Sequence, residues 1–252
     1  MTFRRTYDGD EPQRINKWLA QSGVCSRREA ETLIAEGLVS IDGEVVSDAG
    51  RKILKGQTLT LADAATSALA ADAIVLNKPV GYVSGQPEPG KIPAARLLSA
   101  ANAEGDLQPP GRDAVLPPLG RLDEDSRGLL LLSSDGVLAK AVIGPQSRLD
   151  KEYRVRVAGR ITESRIGRLR FGLAMDGKPL KRAVVEQIGD QDLRFVLTEG
   201  RNRQIRRMAE MVELRVVDLQ RVRIGPLELG DLPEERWRRL SDEERRRLIQ
   251  AS

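Results

Sequence analysis

The chain has 252 residues, 40% of them hydrophobic and 31% charged, with a formal net charge of +4, which suits a globular protein of one large domain or a medium domain with a small companion. It contains no histidine and a single cysteine, Cys25, which excludes a disulfide framework, a zinc cluster, a Cys–His pair and a Ser–His–Asp triad; acid–base chemistry is left to carboxylates, Tyr, Lys, Arg or water. No apolar stretch is long enough to cross a bilayer, and no apolar segment follows the arginines of MTFRRTYDGDEP, so the expectation is a cytoplasmic protein with no membrane contact and no secretory signal.

Residues 14–21, RINKWLAQ, place Ile15, Trp18 and Leu19 at the spacing of a short amphipathic helix. A second helix begins at Ser26, which has capping-box spacing to Glu29; Ala30, Leu33 and Ile34 face inward and Gly37 supplies the stop. Arg27 and Arg28 in its first turn suit phosphate contacts or a solvated turn equally. Val39 and Ile41 then alternate with polar residues up to Asp42-Gly43, a hairpin signal, and Val45 and Thr58–Leu61 complete a small sheet. This unit ends near residue 61. LADAATSALAADA, residues 61–73, lacks Lys and Arg and reads as a linker, although its alanines also suit a short helix.

The charge excess lies beyond the linker: nine residues of each sign occur up to residue 61, against 32 Lys/Arg and 26 Asp/Glu from residue 74 onward. The sequence pI near 9.4 fits a polyanionic partner as well as a neutral metabolite. AIVLNKPVGYVS predicts a strand ending at Lys78-Pro79, and residues 85–118 are rich in Gly and Pro. GRLDEDSRGLLLLSSDG, residues 120–136, sets a charged turn against a four-leucine strand, so the charges sit on a sheet rim. Further strands are expected at 151–159, 183–188, 193–200 and 214–229, and helices at 135–143, 162–170, 201–212 and 241–250. Strands outnumber helices and often follow one another directly, which predicts an α+β fold: a mixed, mainly antiparallel sheet with helices packed against it.

Three stretches carry candidate chemistry. In GRLDED, Asp123 and Asp125 are too close along one turn to flank a glycosidic bond, so one carboxylate is expected to act alone, held ionised by Arg121 or another arginine; a solvated polar turn also accounts for the spacing. In TEGRNRQIRRMAEM, Arg201, Arg203, Arg206 and Arg207 crowd a helix N-terminus, where the dipole favours anions. They imply an external polyanion or a buried carboxylate, with phosphates serving three of them, or else a basic face with internal ion pairs. In LDKEYRVRV, Lys151, Tyr153, Val155 and Val157 share one strand face, and the tyrosine suits either core packing or stacking on a single flipped base.

Taken in order, NKPVGYVS, GRLDEDSRGLLLLSSDG, KEYRVRV and EGRNRQIRRM resemble the successive motifs of the RsuA/RluB/RluE/RluF family of RNA pseudouridine synthases, and RINKWLAQSGVCSRREAETLIAEGLVSIDG resembles the alpha-L RNA-binding module that these enzymes share with a small-subunit ribosomal protein. The resemblance covers residues 14 to 240 and implies an alpha-L domain over 1–61, a linker over 62–73 and a catalytic domain over 74–252. It implies Asp123 as the catalytic aspartate, Arg206 as the arginine paired with it, and Tyr153 as the ring stacked on the target uracil. Ile205 would pack beneath the base, and Arg121 would hold open the helix the base has left. Lys78, Arg201 and Arg203, with Arg27 and Arg28 of the small domain, are placed among the substrate-binding residues. No cofactor or metal is implied, because substrate and product are isomers.

VCSRREAE, RQIRRM and ERWRRLSDEE are most similar to the RluF branch, which implies ribosomal RNA as partner, 23S rRNA of the large subunit first, with a tRNA as a second substrate, and a monomeric enzyme. The alternatives are an RsuA-like or RluB/RluE-like synthase acting at another rRNA site, a non-catalytic RNA-binding ribosome-assembly protein, or a hydrolase using Asp123 with Asp125. Ser126 stands where many relatives carry threonine. Residues 99–118 form a longer, more proline-rich segment than the family leads one to expect.

Overall fold

The computed structural model describes residues 3–25, 27–63, 65, 73–85, 89–111 and 114–252. These fall into two compact units, one drawn from Met1–Asp72 with Ser134–Lys140, the other from Ala73–Ser133 with Ala141–Ser252. The expected cap Ser26 and residues 64 and 66–72 of the expected linker lie outside the described residues.

The first unit contains β1 (Arg4–Thr6), α1 (Ile15–Gln21), α2 (Arg27–Ala35), β2 (Val39–Ile41), β3 (Glu44–Val45) and β4 (Thr58–Leu61). The four strands form an antiparallel sheet in the order β1-β4-β2-β3. Asp42 and Gly43 turn the β2–β3 hairpin with φ of 51° and 87°, the left-handed pair that Asp-Gly tolerates. Ile15, Leu19, Leu33, Ile34, Val39, Ile41 and Leu59 are buried together, and Tyr7 meets Trp18 edge to face at 5.6 Å. Strand β1 carries no apolar alternation, and its burial pattern is exposed throughout; only its pairing with β4 makes it a strand.

The second unit is built on a sheet of eight strands. They are β5 (Ala73–Lys78), β6 (Arg127–Ser133), β7 (Lys151–Ala158), β10 (Val184–Gln187), β11 (Asp192–Leu197), β12 (Arg215–Ile224), β13 (Leu227–Glu228) and β14 (Trp237–Arg239). A small separate hairpin supplies β8 (Ala174–Met175) and β9 (Lys178–Pro179). The order is β10-β11-β7-β12-β6-β5-β14, with β13 pairing back on β12. Only β6 and β12 run parallel, so the sheet is mixed and mainly antiparallel, as the strand-rich pattern predicts. Helix α3 (Gly136–Ile143), whose residues up to Lys140 group with the first unit, and helices α4 (Glu163–Arg170), α5 (Gln204–Glu210) and α6 (Asp242–Gln250) of the second fall close to the expected spans.

Leu129, Leu130, Leu131 and Leu132 in β6 are each at most 1% exposed, which stabilises the strand by ~1.5–3 kcal/mol per side chain and fixes where the preceding turn emerges. Gly128 is required there: it sits at φ 104°, and a Cβ would lie 2.3 Å from the Arg221 carbonyl oxygen of β12. Strand β14 was not expected from sequence. Trp237 pairs with Leu76 of β5, is fully buried, and donates its indole N–H to the Ser99 carbonyl at 2.8 Å, so it pins the long segment that leads toward residue 120. Among the described residues no helix is long and apolar enough to cross a membrane.

Candidate active site

The turn ahead of β6 is fixed from three directions. Ser84 Oγ donates to the Leu122 carbonyl at 2.7 Å and accepts from the Leu122 N–H at 2.8 Å, and the Gly81 N–H donates to the Glu124 carbonyl at 2.8 Å. Arg221, 1% exposed, donates from β12 to the carbonyls of Gly120 (3.2 Å), Arg121 (3.4 Å) and Leu129 (2.8 Å). Its burial lowers its pKa, and Tyr153 offsets part of that loss. Arg127, the last residue of the charged motif, closes the turn with a two-point bond to Asp218 at 2.9 and 2.8 Å.

This turn presents Asp123 to a cavity of about 640 Å³ that Arg121, Tyr153, Ile205, Arg206 and Arg221 also line. Tyr153 reaches it from β7 beside a β-bulge between Glu152 and Tyr153, which re-aims the strand locally. Ile205 and Arg206 come from the first turn of α5, some eighty residues beyond Asp123. Lys151 lines the same wall. Its burial, with Arg221 nearby, holds its ammonium below the usual lysine range. Arg121 is exposed on the rim, while Ile205 is buried.

The arginine pairing differs from the expectation. Arg206 does not pair with Asp123: its Nε stands 3.3 Å from Asp125 Oδ2, and Nη2 donates to the Asp125 carbonyl at 2.7 Å and to Ser126 Oγ at 3.2 Å. Asp125 also accepts from both Nη atoms of Arg203, at 3.1 and 2.9 Å, and Asp123 Oδ2 lies 3.5 Å from Arg203 Nη1. Partial burial raises the Asp125 pKa, but the Arg203 hydrogen bonds and the Arg206 charge outweigh it and hold the carboxyl below its ordinary value. Two carboxylates two positions apart on a turn offer similar reach, and the one further along the turn meets the helix.

Other assignments change for similar reasons. Arg201 is committed to protein: it donates to the carbonyls of Met175 (3.0 Å), Lys178 (3.1 Å) and Pro179 (2.6 Å) and lies 3.5 Å from Glu199, so it clamps the β8–β9 hairpin although it borders the cavity. Arg207 binds Asp176 in the same hairpin at 3.1 and 2.7 Å. The crowded arginines therefore hold internal partners rather than standing free for phosphates. Lys78, placed among the substrate-binding residues by the resemblance, does not line the cavity. It is fully buried at the end of β5, its Nζ donates to the carbonyls of Pro79 (2.7 Å) and Tyr82 (2.8 Å), and burial brings its pKa down to about 8 against the opposing pull of Asp125 and Asp123. Arg27 and Arg28 are exposed on α2 of the first unit. Arg221 went unnoticed in the sequence; its signal is the i, i+2 spacing with Leu219, which puts an arginine on a buried strand face.

Comparison with known proteins then gives this geometry a context. The sequence matches the RNA pseudouridylate synthase family over residues 72–211 and the S4 domain over residues 13–59. An RNA pseudouridine synthase of Aquifex aeolicus (strain VF5), uncharacterized, is 33% identical over 236 residues, which cover 93% of this chain and 95% of the relative. The dual-specificity RNA pseudouridine synthase RluF of Salmonella typhi is 34% identical, covering 93% and 78% of the two chains. The ribosomal large subunit pseudouridine synthase B of Pseudomonas aeruginosa is 34% identical, covering 92% and 60%. A crystal structure of a pseudouridylate synthase matches with a TM-score of 0.63 at 25% identity, over 94% of this chain and 99% of the other. The chain belongs to the RNA pseudouridylate synthase family, with an S4 domain ahead of the synthase domain.

Proposed function

We propose that the chain converts a uridine of ribosomal RNA, in the 23S rRNA of the large subunit, to pseudouridine, with Asp123 as the reacting carboxylate. The observation that carries this reading is that Asp123 and Tyr153, from distant parts of the chain, line one cavity with the aliphatic Ile205. Support for the substrate class comes from relatives named for the large ribosomal subunit and for dual specificity.

In the reaction the C1′–N1 bond of the uridine breaks, the uracil turns over, and C5 bonds to C1′; the C5 proton leaves and N1 takes one up, so atoms balance without an added reagent. Asp123 faces the ribose as a carboxylate, Tyr153 stacks on the uracil, and Ile205 packs beneath it. Extruding a paired base costs a few kcal/mol, which Arg121 at the rim and phosphate contacts from Arg27 and Arg28 of the first unit offset. The enzyme acts as a cytoplasmic monomer.

Replacing Asp123 by Asn keeps the shape and removes the charge. Tritium release from RNA labelled at uridine C5 falls to background, while RNA binding stays within about twofold of wild type. Release at the wild-type rate would remove Asp123 from its role. Pseudouridine mapping in rRNA from cells lacking the protein identifies the site, and an unmodified 23S position missing from that map would shift the assignment to another RNA.

A further inference from the structure

We propose that Lys151 is a catalytic residue: its ammonium donates to a carbonyl oxygen of the uracil as the base leaves C1′, and stabilises the negative charge that the base carries away. The inference rests on the reading given above, in which Tyr153 stacks on the uracil and Asp123 faces the ribose.

The reaction itself calls for a cation. When the C1′–N1 bond breaks, its electron pair goes with N1 and spreads onto O2 and O4, so the freed uracil is an anion until C5 bonds to C1′ and the pair is returned. The ammonium keeps its own proton throughout, while the C5 proton leaves and N1 takes one up. Such a donor meets a neutral carbonyl before cleavage and a charged oxygen after it, and a hydrogen bond between two ionised groups is roughly twice as strong as a neutral one. The gain therefore falls on the cleavage step rather than on binding.

Lys151 is placed to be that cation. It lines the cavity with Asp123, Tyr153 and Ile205, and it shares the Tyr153 face of β7 two residues away, about 7 Å along the strand. Its cross-strand neighbours are the buried aliphatics Leu197 of β11 and Ile224 of β12, so the half-buried ammonium stands between apolar walls, where charges are poorly screened. Among the described residues no carboxylate forms an ion pair with it, and its one hydrogen bond is a long one, 3.4 Å to the Leu149 carbonyl. The acids nearby are engaged: Arg223 grips Asp150 at 2.8 and 3.0 Å, Arg194 grips Glu152 at 2.9 and 3.0 Å, and Glu199 accepts from the Lys181 N–H and from Gln204. Arg221, the fully buried cation of the cavity, spends its N–H groups on the carbonyls of Gly120, Arg121 and Leu129. Lys151 thus keeps donors to spare. The lowering of its pKa by burial and by Arg221 agrees with an ammonium short of counter-charge, which the departing base supplies.

The test is Lys151→Ala, read by single-turnover tritium release at saturating RNA and by RNA affinity. The rate is expected to fall about a hundredfold, the order lost with one such donor, while affinity stays within about twofold. Propylammonium, which matches the missing part of the side chain, is expected to restore at least about tenfold of the K151A rate, and propanol, of equal length without the charge, to restore none. Lys151→Gln keeps a donor but no charge and is expected to stay at least about tenfold slow, so it carries the test should K151A fail to fold. A K151A or K151Q enzyme at the wild-type rate overturns the proposal. So does weakened RNA affinity with an unchanged saturated rate, which marks a phosphate contact. A K151A rate that propylammonium leaves low, or that propanol restores equally, overturns it as well and marks a packing role. Asp123→Asn run alongside separates the two readings: an inactive D123N with a fully active K151Q sinks only this inference, whereas an active D123N sinks the reading beneath it.

Discussion

Arg221→Lys probes how the charged turn is held. The substitution keeps a cation at a site that is 1% exposed, where an ammonium is costlier to desolvate than a guanidinium, and one ammonium cannot span the carbonyls of Gly120, Arg121 and Leu129 as the planar fork does. Lysine retains one of the three bonds. Two charge-assisted bonds are lost, and because they are the long ones, at 3.2 and 3.4 Å, each takes the low end of the ~1.5–3 kcal/mol range, for a total of about 3 kcal/mol. For a chain of this length that lowers the melting temperature by roughly 6–12 °C. The deficit narrows as pH rises: a buried lysine has its pKa lowered in the fold, the unfolded chain then binds more protons, and stability climbs between the two values, which arginine cannot reproduce. Calorimetry at two pH values reads both effects. Because the freed carbonyls belong to residues two and three positions before Asp123, tritium release is expected to fall about tenfold or more. A melting temperature within about 2 °C of wild type would refute the account of Arg221 as the clamp of the turn.

Two further perturbations test other parts of the molecule. Gly128→Ala forces a Cβ to within 2.3 Å of the Arg221 carbonyl oxygen at φ 104°, so a loss of ~3 kcal/mol or more is expected in urea unfolding, and an unchanged midpoint would show that β6 and β12 separate freely. Cys25 is buried, and burial, with the charges of Glu29 and Asp135, pushes its thiol up to about 12, so at pH 8 its thiolate fraction is on the order of 10⁻⁴. Iodoacetamide is expected to label the protein in urea and not in the native state; native labelling at the unfolded rate would contradict that burial.

What the sequence made legible was whatever has a period. The β6 leucines, the Asp42-Gly43 turn and the stripe Ala30, Leu33, Ile34 each repeat or punctuate, and the structure places them in a buried strand, a hairpin and an inward helix face. Asp123, Tyr153, Ile205 and Arg206 could be brought together only through motif resemblance, since nothing local in the chain joins positions eighty residues apart. Partner choice was illegible. Asp125 lies two residues from Asp123, and which of them meets Arg203 and Arg206 depends on how α5 docks. Arg201 and Arg207 look like a phosphate site because their partners, the 174–179 hairpin carbonyls and Asp176, lie far upstream and carry no sequence signal. Lys78 ends a strand buried at every position, where a lysine reads as a surface residue. Strand β14 is WRR, three residues without alternation, and its sheet role comes entirely from Trp237 finding β5.

That last pairing bears on how the protein assembles as it is made. Strand β5 carries Ala73, Ile74, Val75 and Leu76 and leaves the ribosome more than 150 residues before its flanking partner at 237–239. Until that partner emerges, one side of β5 is an open apolar border of the kind that recruits foreign strands. A nascent chain stalled short of Trp237 therefore offers chaperones a sticky rim that the finished enzyme never displays.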